Sequence, residues 1–481
     1  MDTTPEQLRQ VTDAAQAAFA RTADAPAADR AVWLRAVADV LDAHVEELVA
    51  IADEESHLGV PRLTGEVART TGQLRMFAAV VEEGSYLEAI IDHANPEAAP
   101  PTPDLRRLLR PLGPVAVFSA SNFPFAFSVA GGDTASALAV GCPVIVKGHS
   151  AHPRLSRRTA ELVGDALRAA GAPDGVFALV EGRAAGVALV QEPSIRAVGF
   201  TGSLHGGRAL FDLAVGRPDP IPIYGELSAI NPVLVTQAAL FARADELATG
   251  LAGSFTLGAG QFCTKPGVVF VPDGSDFAAR VAAAVGEAAE VPMLTDSIAG
   301  AFADGLGTLA GRDDVTVVSG TPEQSVGTGS AVVLETTSAA VLADPEGLLA
   351  ECFGPTTLVV RYGSVDEALT AIRAVGGSLT ATVHAEPDED VAAIVDVLAD
   401  IAGRVLFAGW PTGVAVNWSQ QHGGPWPSTT SIHTSVGATA VRRFLRPVAY
   451  QSAPDAALPA ALRDDNPLGI PRRVDGVLTL P

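Results

Sequence analysis

Residues 113–148 read GPVAVFSASNFPFAFSVAGGDTASALAVGCPVIVKG, and their pattern decides the fold. GPVAVFSA (113–120) and CPVIVKG (142–148) are short apolar runs rich in valine and isoleucine, without polar alternation. That is the pattern of strands covered on both faces. Between them, SVAGGDTASALAV (128–140) reads as a helix. The alternation continues downstream. RLSRRTAELVGDALRAAG (154–171) reads as a helix, GVFALV (175–180) and IRAVGFTG (195–202) as strands, and a helix follows from about Leu204. Buried strands alternating with helices predict a parallel, doubly wound sheet. Such sheets bind ligands at the carboxyl ends of their strands.

From about residue 231 the alternation starts again. NPVLV leads into a helical AALFARADELATGLAGSF, a glycine-rich loop around Cys263, and GVVFV, predicting a second α/β domain. Upstream, Leu34, Val37, Leu41, Val45 and Leu48 recur at helical spacing and predict one amphipathic helix over 30–52, with another over about 60–82. ANPEAAPPTPD (94–104) is a proline-rich connector. The tail from Ala440, AVRRFLRPVAYQ, reads as one more strand with a polar, proline-rich end.

The 481 residues suggest about three domains at roughly 150 residues each. With 48% hydrophobic and 18% charged residues the chain can fill a large core. Lys plus Arg number 32 against 55 Asp plus Glu, a formal charge of −23. A surface this acidic repels nucleic acid and anionic lipid, so neither is an expected partner. No stretch approaches the ~18 continuous apolar residues of a membrane span. The start, MDTTPEQLRQ, lacks the basic and apolar segments of a secretory leader. Three cysteines in so long a chain exclude a disulfide framework, and a cytoplasmic location is expected.

Four loops place polar groups at strand ends. Asn122 follows the first strand in SASNFPF, where its amide can donate to a developing oxyanion or simply form an Asx turn. FTGSLHGG (200–207) can bring backbone N–H groups to a pyrophosphate at a helix N-terminus, although it is not the full G-x-G-x-x-G spacing. Glu226 in YGELSAINP can serve as a general base for water or as a cap. Cys263 lies in GAGQFCTKPG (258–267), where glycines leave the sulfur reachable, whereas Cys142 and Cys352 sit in settings that favour packing. An oxyanion donor, a phosphate turn, a carboxylate base and a thiol, in that order, are the parts needed to oxidise an aldehyde through a covalent thioester.

These motifs resemble those of the aldehyde dehydrogenase family over nearly the full chain. GQFCTKPG is similar to its nucleophile loop, GELSAINP to its general-base motif, SNFPF to its oxyanion motif, FTGS to its cofactor turn and ECFGP (351–355) to its nicotinamide-ribose motif. GHSAHP, HGGPWPSTT and TSVGATAVRRFLRPVAYQ resemble more narrowly the α-ketoglutaric semialdehyde (2,5-dioxopentanoate) dehydrogenase branch, whose relatives include an NADP-dependent fatty-aldehyde enzyme. The resemblance implies a Rossmann-like cofactor domain (1–83 and 113–230), a second α/β catalytic domain (231–439) and a small β oligomerisation element (84–112 and 440–481). It implies Cys263 as nucleophile, Glu226 as base and Asn122 as oxyanion donor with the Cys263 N–H. NADP or NAD would contact Lys147, His149, Ser150, Arg183, Phe200, Thr201, Gly202, Ser203, Gly207, Glu351 and Phe353. Phe123, Gln261, Phe262, Thr264 and Trp418 would contact the aldehyde; no metal is expected, and a homodimer or homotetramer is.

Three departures from the family pattern matter. KGHS puts Ser150 where NAD-preferring members carry a glutamate on the adenosine ribose, and EGRAAG supplies Arg183 nearby. Loss of a negative charge and gain of a guanidinium favour a 2′-phosphate, so NADP acceptance is expected. Ser228 stands where glycine is usual, which would shift the loop carrying Glu226, and NWSQQHGG brings Trp418 and Gln420 toward the expected substrate mouth. A medium- or long-chain fatty aldehyde is the alternative substrate. Two other classes stay open: a cysteine hydrolase, which needs a histidine at the thiol (His149, His205, His422 or His433), and a non-catalytic binding protein that kept the fold.

Overall fold

In the computed structural model, which describes residues 2–287 and 289–481, the stretch 113–148 folds as strand Val115–Phe118, helix Gly132–Ala139 and strand Val144–Lys147. These strands join Phe177–Val180, Ala197–Thr201 and Ile223–Glu226 in one parallel sheet. The sheet grows outward from Val115–Phe118 first through Val144–Lys147 to Phe177–Val180, then on the other side through Ala197–Thr201 to Ile223–Glu226. Its winding therefore reverses between Val115–Phe118 and Ala197–Thr201, the switch point at whose carboxyl end doubly wound sheets bind their ligands.

The missing polar alternation has a direct cause. Val115, Val117, Val144 and Val146 face one core with the helices Ala27–Ala43, Val60–Glu83 and Pro153–Ala169. Ala116, Phe118, Ile145 and Val198 face another with Pro5–Thr22, Arg183–Gln191 and Leu204–Val215. Both faces of the sheet are covered, so every position must be apolar.

A second sheet of seven strands is built the same way, in the order Thr316–Ser319, Val332–Thr337, Thr356–Tyr362, Val268–Pro272, Val233–Val235, Ser378–His384, Ala402–Phe407. Only the edge strand Thr316–Ser319 runs antiparallel. Val268 and Phe270 pack on one side and Val269 and Val271 on the other. A third sheet has the order Leu445–Gln451, Leu105–Pro111, Ile90–Asp92, Arg472–Val474, Val477–Thr479. Among the described residues no helix is long and apolar enough to cross a membrane.

Two expectations are corrected. The helix expected over 30–52 is two helices, Ala27–Ala43 and Val45–Ser56, because His44 leaves the helical region (φ −115°, ψ 19°). The apolar spacing runs through the break, so periodicity did not reveal it. The tail strand begins at Leu445, after a 3₁₀ segment Ala438–Phe444, and the polar end contributes two further short strands.

The 3₁₀ segment carries Arg443, 2% exposed. Its Nη1 donates to Asp133 Oδ1 at 2.6 Å, its Nη2 to Ser136 Oγ at 3.2 Å and its Nε to the Ala440 carbonyl at 3.1 Å. This pins the tail to the helix that follows the Asn122 loop. Removing one partner of such a pair strands the other charge in the interior. Arg443→Met is expected to cost about 3–5 kcal/mol in urea unfolding, and adding Asp133→Asn to restore part of it. An Arg443→Met protein as stable as the parent would show that the pair holds nothing.

Candidate active site

The loop bearing Cys263 joins helix Gln237–Thr256 to strand Val268–Pro272. Gly258, Ala259 and Gly260 are consecutively left-handed, with φ of 57°, 56° and 67°. Ala259 accepts about 1–2 kcal/mol of strain in that region. Gly260 is required on two counts: its φ, and the Gly354 carbonyl oxygen that a Cβ would meet at 2.2 Å. The run turns Phe262 and Cys263 toward the surface and buries Gln261 and Thr264.

Asn231 fastens this loop from beneath. It is fully buried and left-handed (φ 57°). Its Nδ2 donates to the carbonyls of Cys263 (2.8 Å) and Lys265 (3.0 Å), and its Oδ1 accepts from the Thr380 N–H (3.1 Å). The buried Lys265 ammonium donates to the carbonyls of Cys352 (2.6 Å) and Thr356 (3.0 Å). Hydrogen bonds from Asn231 and Lys265 thus tie GQFCTKPG to GELSAINP and to ECFGP.

Glu226 ends strand Ile223–Glu226 and is 2% exposed. Its Oε2 accepts from Ser435 Oγ at 2.8 Å and its Oε1 from His422 Nε2 at 3.0 Å. The same Nε2 lies 3.6 Å from Cys263 Sγ. One ligating atom from each of Glu226, Cys263 and His422 falls within 4.8 Å of the others, a donor set that would also suit a divalent ion. A carboxylate only accepts, so the imidazole hydrogen sits on Nε2. His422 Nδ1 is buried without a partner. Both neighbours of Glu226 come from the segment after the last strand of the second sheet, and this segment clasps the edge of the first. Gly225 N–H donates to Thr430 Oγ1 (2.8 Å), Thr430 N–H to the Gly225 carbonyl (3.1 Å) and Leu227 N–H to the Ser428 carbonyl (2.8 Å).

Burial pushes the Cys263 thiol well above its ordinary value, and the charge and hydrogen bond of Glu226 push it further; Arg69 opposes them. Burial would raise the Glu226 carboxyl, but His422 beside it and hydrogen bonds from His422, Ser435 and the thiol bring it below the usual range. The resting pair is therefore a thiol and a carboxylate. Asn122 Nδ2 donates to the Gln261 carbonyl at 3.0 Å, which leaves its second N–H available. The Cys263 N–H makes no hydrogen bond among the described residues. Phe123 meets Phe262 edge-on at 5.3 Å between centroids and Phe127 at 5.5 Å, making an aromatic wall beside the thiol.

The candidate cofactor residues line the carboxyl edge of the five-stranded sheet. Lys147 ends its strand with no ion pair or side-chain hydrogen bond among the described residues, and burial lowers its pKa. His149 Nδ1 accepts the Ala151 N–H at 3.0 Å; burial, then His152 and Lys147, push its pKa down to about 3, so it is neutral. Ser150 and Arg183 are exposed, Arg183 as the first residue of its helix. Phe200 and Thr201 end their strand, Gly202 follows, and Ser203 Oγ caps the next helix through the Gly206 N–H at 3.2 Å. Gly207 lets that helix approach the base strand, since a Cβ there would meet Leu227 at 2.0 Å. An unpaired ammonium and an open, capped helix N-terminus at the switch point suit the phosphates of a dinucleotide. Glu351 accepts from the Ser228 hydroxyl and the Ala229 N–H, and burial raises its pKa. Ser228 thus anchors Glu351 to the base loop. Phe353 is half-buried.

The structure describes the surroundings of three expected substrate contacts. The Gln261 side chain is committed to the scaffold: Oε1 accepts from the Leu294 N–H (3.0 Å) and Nε2 donates to the Gly258 carbonyl (3.2 Å). Thr264 is 1% exposed beneath the loop. Trp418 is 53% exposed and makes no ring contact with the aromatic wall. Sequence reasoning offered His422 as one of four histidines for the thiol; the structure brings its Nε2 against both thiol and carboxylate, and no local spacing singles it out across 159 residues. Sequence reasoning missed Asn231, Ser435, Arg62 and Arg69. The arginines are half-buried and flank a helix stripe that also buries Glu66, Thr70, Thr71 and Gln73, so they left no clear signal in the sequence.

A thiol and a carboxylate beside a doubly wound, dinucleotide-ready sheet define a pyridine-nucleotide oxidoreductase acting on a carbonyl. The profile of the aldehyde dehydrogenase family matches residues 1–447, and the chain belongs to that family. It is 49% identical over 465 residues to "Alpha-ketoglutaric semialdehyde dehydrogenase 2" of Azospirillum brasilense, covering 94% of this chain and 88% of that one. It is 39% identical over 484 residues to "Alpha-ketoglutaric semialdehyde dehydrogenase" of Acinetobacter baylyi, covering 99% and 92%. Among solved structures, an NADP-dependent glyceraldehyde-3-phosphate dehydrogenase from Bacillus halodurans complexed with NADP aligns with a TM-score of 0.79, covering 94% of this chain and 92% of that one. At 21% identity it bears on the fold alone. The chain is an NAD(P)-dependent aldehyde dehydrogenase.

Carbamidomethylation of Cys263 by iodoacetamide, read by mass spectrometry, is expected to rise with pH through the alkaline range. Cys142 and Cys352, both buried with pKa values raised to about 11, serve as internal controls. Glu226→Gln removes the adjacent negative charge, so labelling at pH 8 should accelerate about tenfold. An unchanged or slower rate would mean that Glu226 does not hold the thiol protonated.

Proposed function

We propose that this chain oxidises a semialdehyde of the α-ketoglutaric type to the dicarboxylic acid, with Cys263 as nucleophile, Asn122 as oxyanion donor and Glu226 as base. The observation that carries the reading is the sulfur, the carboxylate and His422 within 4.8 Å of one another, with the Cys263 backbone N–H unbonded among the described residues. Both curated relatives are named for that semialdehyde, which supports the substrate class.

The thiol proton passes to Glu226 as sulfur attacks the aldehyde carbon. The oxyanion lies against the second Asn122 N–H and the Cys263 N–H, each such donor contributing roughly 3 kcal/mol. When bound, NAD(P)+ supplies the hydride acceptor. Lys147, Arg183, Thr201 to Ser203 and Gly207 would hold its adenosine and phosphate half, with His149, Ser150 and Phe200 beside them, and Glu351 and Phe353 its nicotinamide half. The oxidised acyl group stays on Cys263 as a thioester. Glu226 passes the proton it took from the thiol to solvent and, as a carboxylate again, held by Ser435 and His422, takes a proton from the water that attacks the thioester; the acid leaves and the Cys263 thiolate regains its proton from Glu226. Its presence favours hydrolysis over transfer to coenzyme A. Residues 1–83 and 113–230 would form the cofactor domain, 231–439 the catalytic domain, and 84–112 with 440–481 the oligomerisation element. The half-exposed strand Leu445–Gln451 at a sheet edge favours a homodimer or homotetramer, and three unpaired cysteines favour a cytoplasmic setting.

The proximity of His422 to Cys263 gives the cysteine-hydrolase reading one observation in its favour. A relay needs the nucleophile on one ring nitrogen and the carboxylate on the other. Here both face Nε2 and Nδ1 has no partner, so His422 positions Glu226 and relays nothing.

Purified protein with NADP+ and with NAD+, tested from acetaldehyde to long-chain aldehydes and semialdehydes, is expected to give its highest kcat/KM on a semialdehyde, and Cys263→Ser to abolish turnover. A long-chain optimum would favour the fatty-aldehyde alternative, and acyl-CoA formation would reverse the hydrolytic assignment. NADP+ is expected to be accepted, because Ser150 brings no negative charge and the exposed Arg183 carries no ion pair among the described residues. Arg183→Ala should then lower kcat/KM for NADP+ about tenfold more than for NAD+. Equal losses, or a strong NAD+ preference in the parent, would refute the role of Arg183.

A further inference from the structure

The helix Val60–Glu83 turns Arg62, Glu66 and Arg69 onto one face, at spacings of four and three residues, and that face meets the Asn122 loop and the nucleophile. The Arg62 guanidinium lies over the Phe262 ring at 4.7 Å and the Phe123 ring at 5.1 Å, and its Nη2 donates to the Asn122 carbonyl at 2.6 Å. The Arg69 guanidinium lies over Phe127 at 5.4 Å. Each arginine keeps its Nη1 buried with no acceptor. Neither forms an ion pair within 4.0 Å among the described residues.

Glu66 lies between them and its charge acts on both, but among the described residues it makes no ion pair within 4.0 Å with either, and its Oε2 is buried without a partner. Its Oε1 accepts the N–H groups of Phe125 (2.8 Å) and Ala126 (2.9 Å), so it holds the loop after Asn122. Burial raises its pKa, which weakens it as a counter-ion, and burial lowers the pKa of both arginines. Two guanidiniums with buried, unsatisfied donors therefore face the aromatic wall beside the thiol, in a chain whose formal charge is −23. A buried donor without an acceptor is costly, and the planar guanidinium fork matches a carboxylate. The Phe123, Phe127 and Phe262 rings that these cations lie over offer an apolar surface to a short methylene chain.

We infer that Arg62 and Arg69 bind the distal carboxylate of the substrate, so that the site selects short aldehydes carrying a carboxylate at the other end over uncharged aldehydes of equal length. This rests on the reading of Cys263 as nucleophile of the same site and assigns the residues that set its substrate class.

The test compares glutaric semialdehyde with pentanal, two five-carbon aldehydes, and uses glutarate as a binding probe by calorimetry. The parent is expected to favour the charged aldehyde in kcat/KM, chiefly through KM, and to bind glutarate. In Arg62→Gln/Arg69→Gln that preference should fall about 100-fold and glutarate binding should disappear. The milder variants Arg62→Lys and Arg69→Lys keep the charge and should retain part of both, which covers the case of a double variant that does not fold. Parallel losses on both aldehydes, or glutarate binding that the substitutions leave unchanged, would overturn the inference. A parent that oxidised neither aldehyde would defeat the reading of Cys263, while the glutarate titration would still decide this one.

Discussion

The side-chain amide of Asn231 is the point on which the site depends. It sits five residues beyond Glu226, at the turn where the chain leaves the first sheet and starts the second. From there it grips the carbonyls of Cys263 and Lys265 and the N–H of Thr380. A buried amide must satisfy its donors and acceptor or pay heavily in stability. Here its three bonds set the distance between the nucleophile loop and the strand that carries the carboxylate. The left-handed backbone at Asn231 is what points the amide inward, and asparagine tolerates that region better than most residues.

Around this fixture the electrostatics divide into two zones. On one side, Glu226 and burial keep the sulfur protonated at rest, and His422 and Ser435 keep the carboxylate ionised despite burial. On the other, Arg62 and Arg69 gather positive charge behind an aromatic wall. A single short substrate with a carbonyl at one end and a negative charge at the other would meet both zones at once. The acidic surface does not conflict with this, because burial makes the local field dominate over distant, solvent-screened charges.

Much of the frame was legible because its cause is local. Strands buried on both faces have nowhere to put polar residues, so Val115–Phe118 and Val144–Lys147 could be read directly from composition. Cys263, Glu226 and Asn122 were legible because each sits in a short motif at a strand end or glycine turn. What stayed hidden depends on contacts across long separations. His422 reaches the thiol over 159 residues and Glu226 over 196, through a segment without helix or strand. Gln261 and Thr264 lie inward while Phe262 and Cys263 between them face outward, because the left-handed turn just before sets orientations that adjacency in sequence does not reveal. The break at His44 was invisible because the apolar spacing continues through it.

The clasp between residues 428–430 and the edge strand ending at Glu226 has a mechanical consequence. The first sheet gives Glu226 its backbone, while the chain leaving the second sheet gives it both side-chain partners. Because residues 428–430 are hydrogen-bonded to the strand ending at Glu226, the segment that carries His422 and Ser435 is fastened to the first sheet, and the carboxylate and its two partners form one unit built from both ends of the chain's path between the sheets.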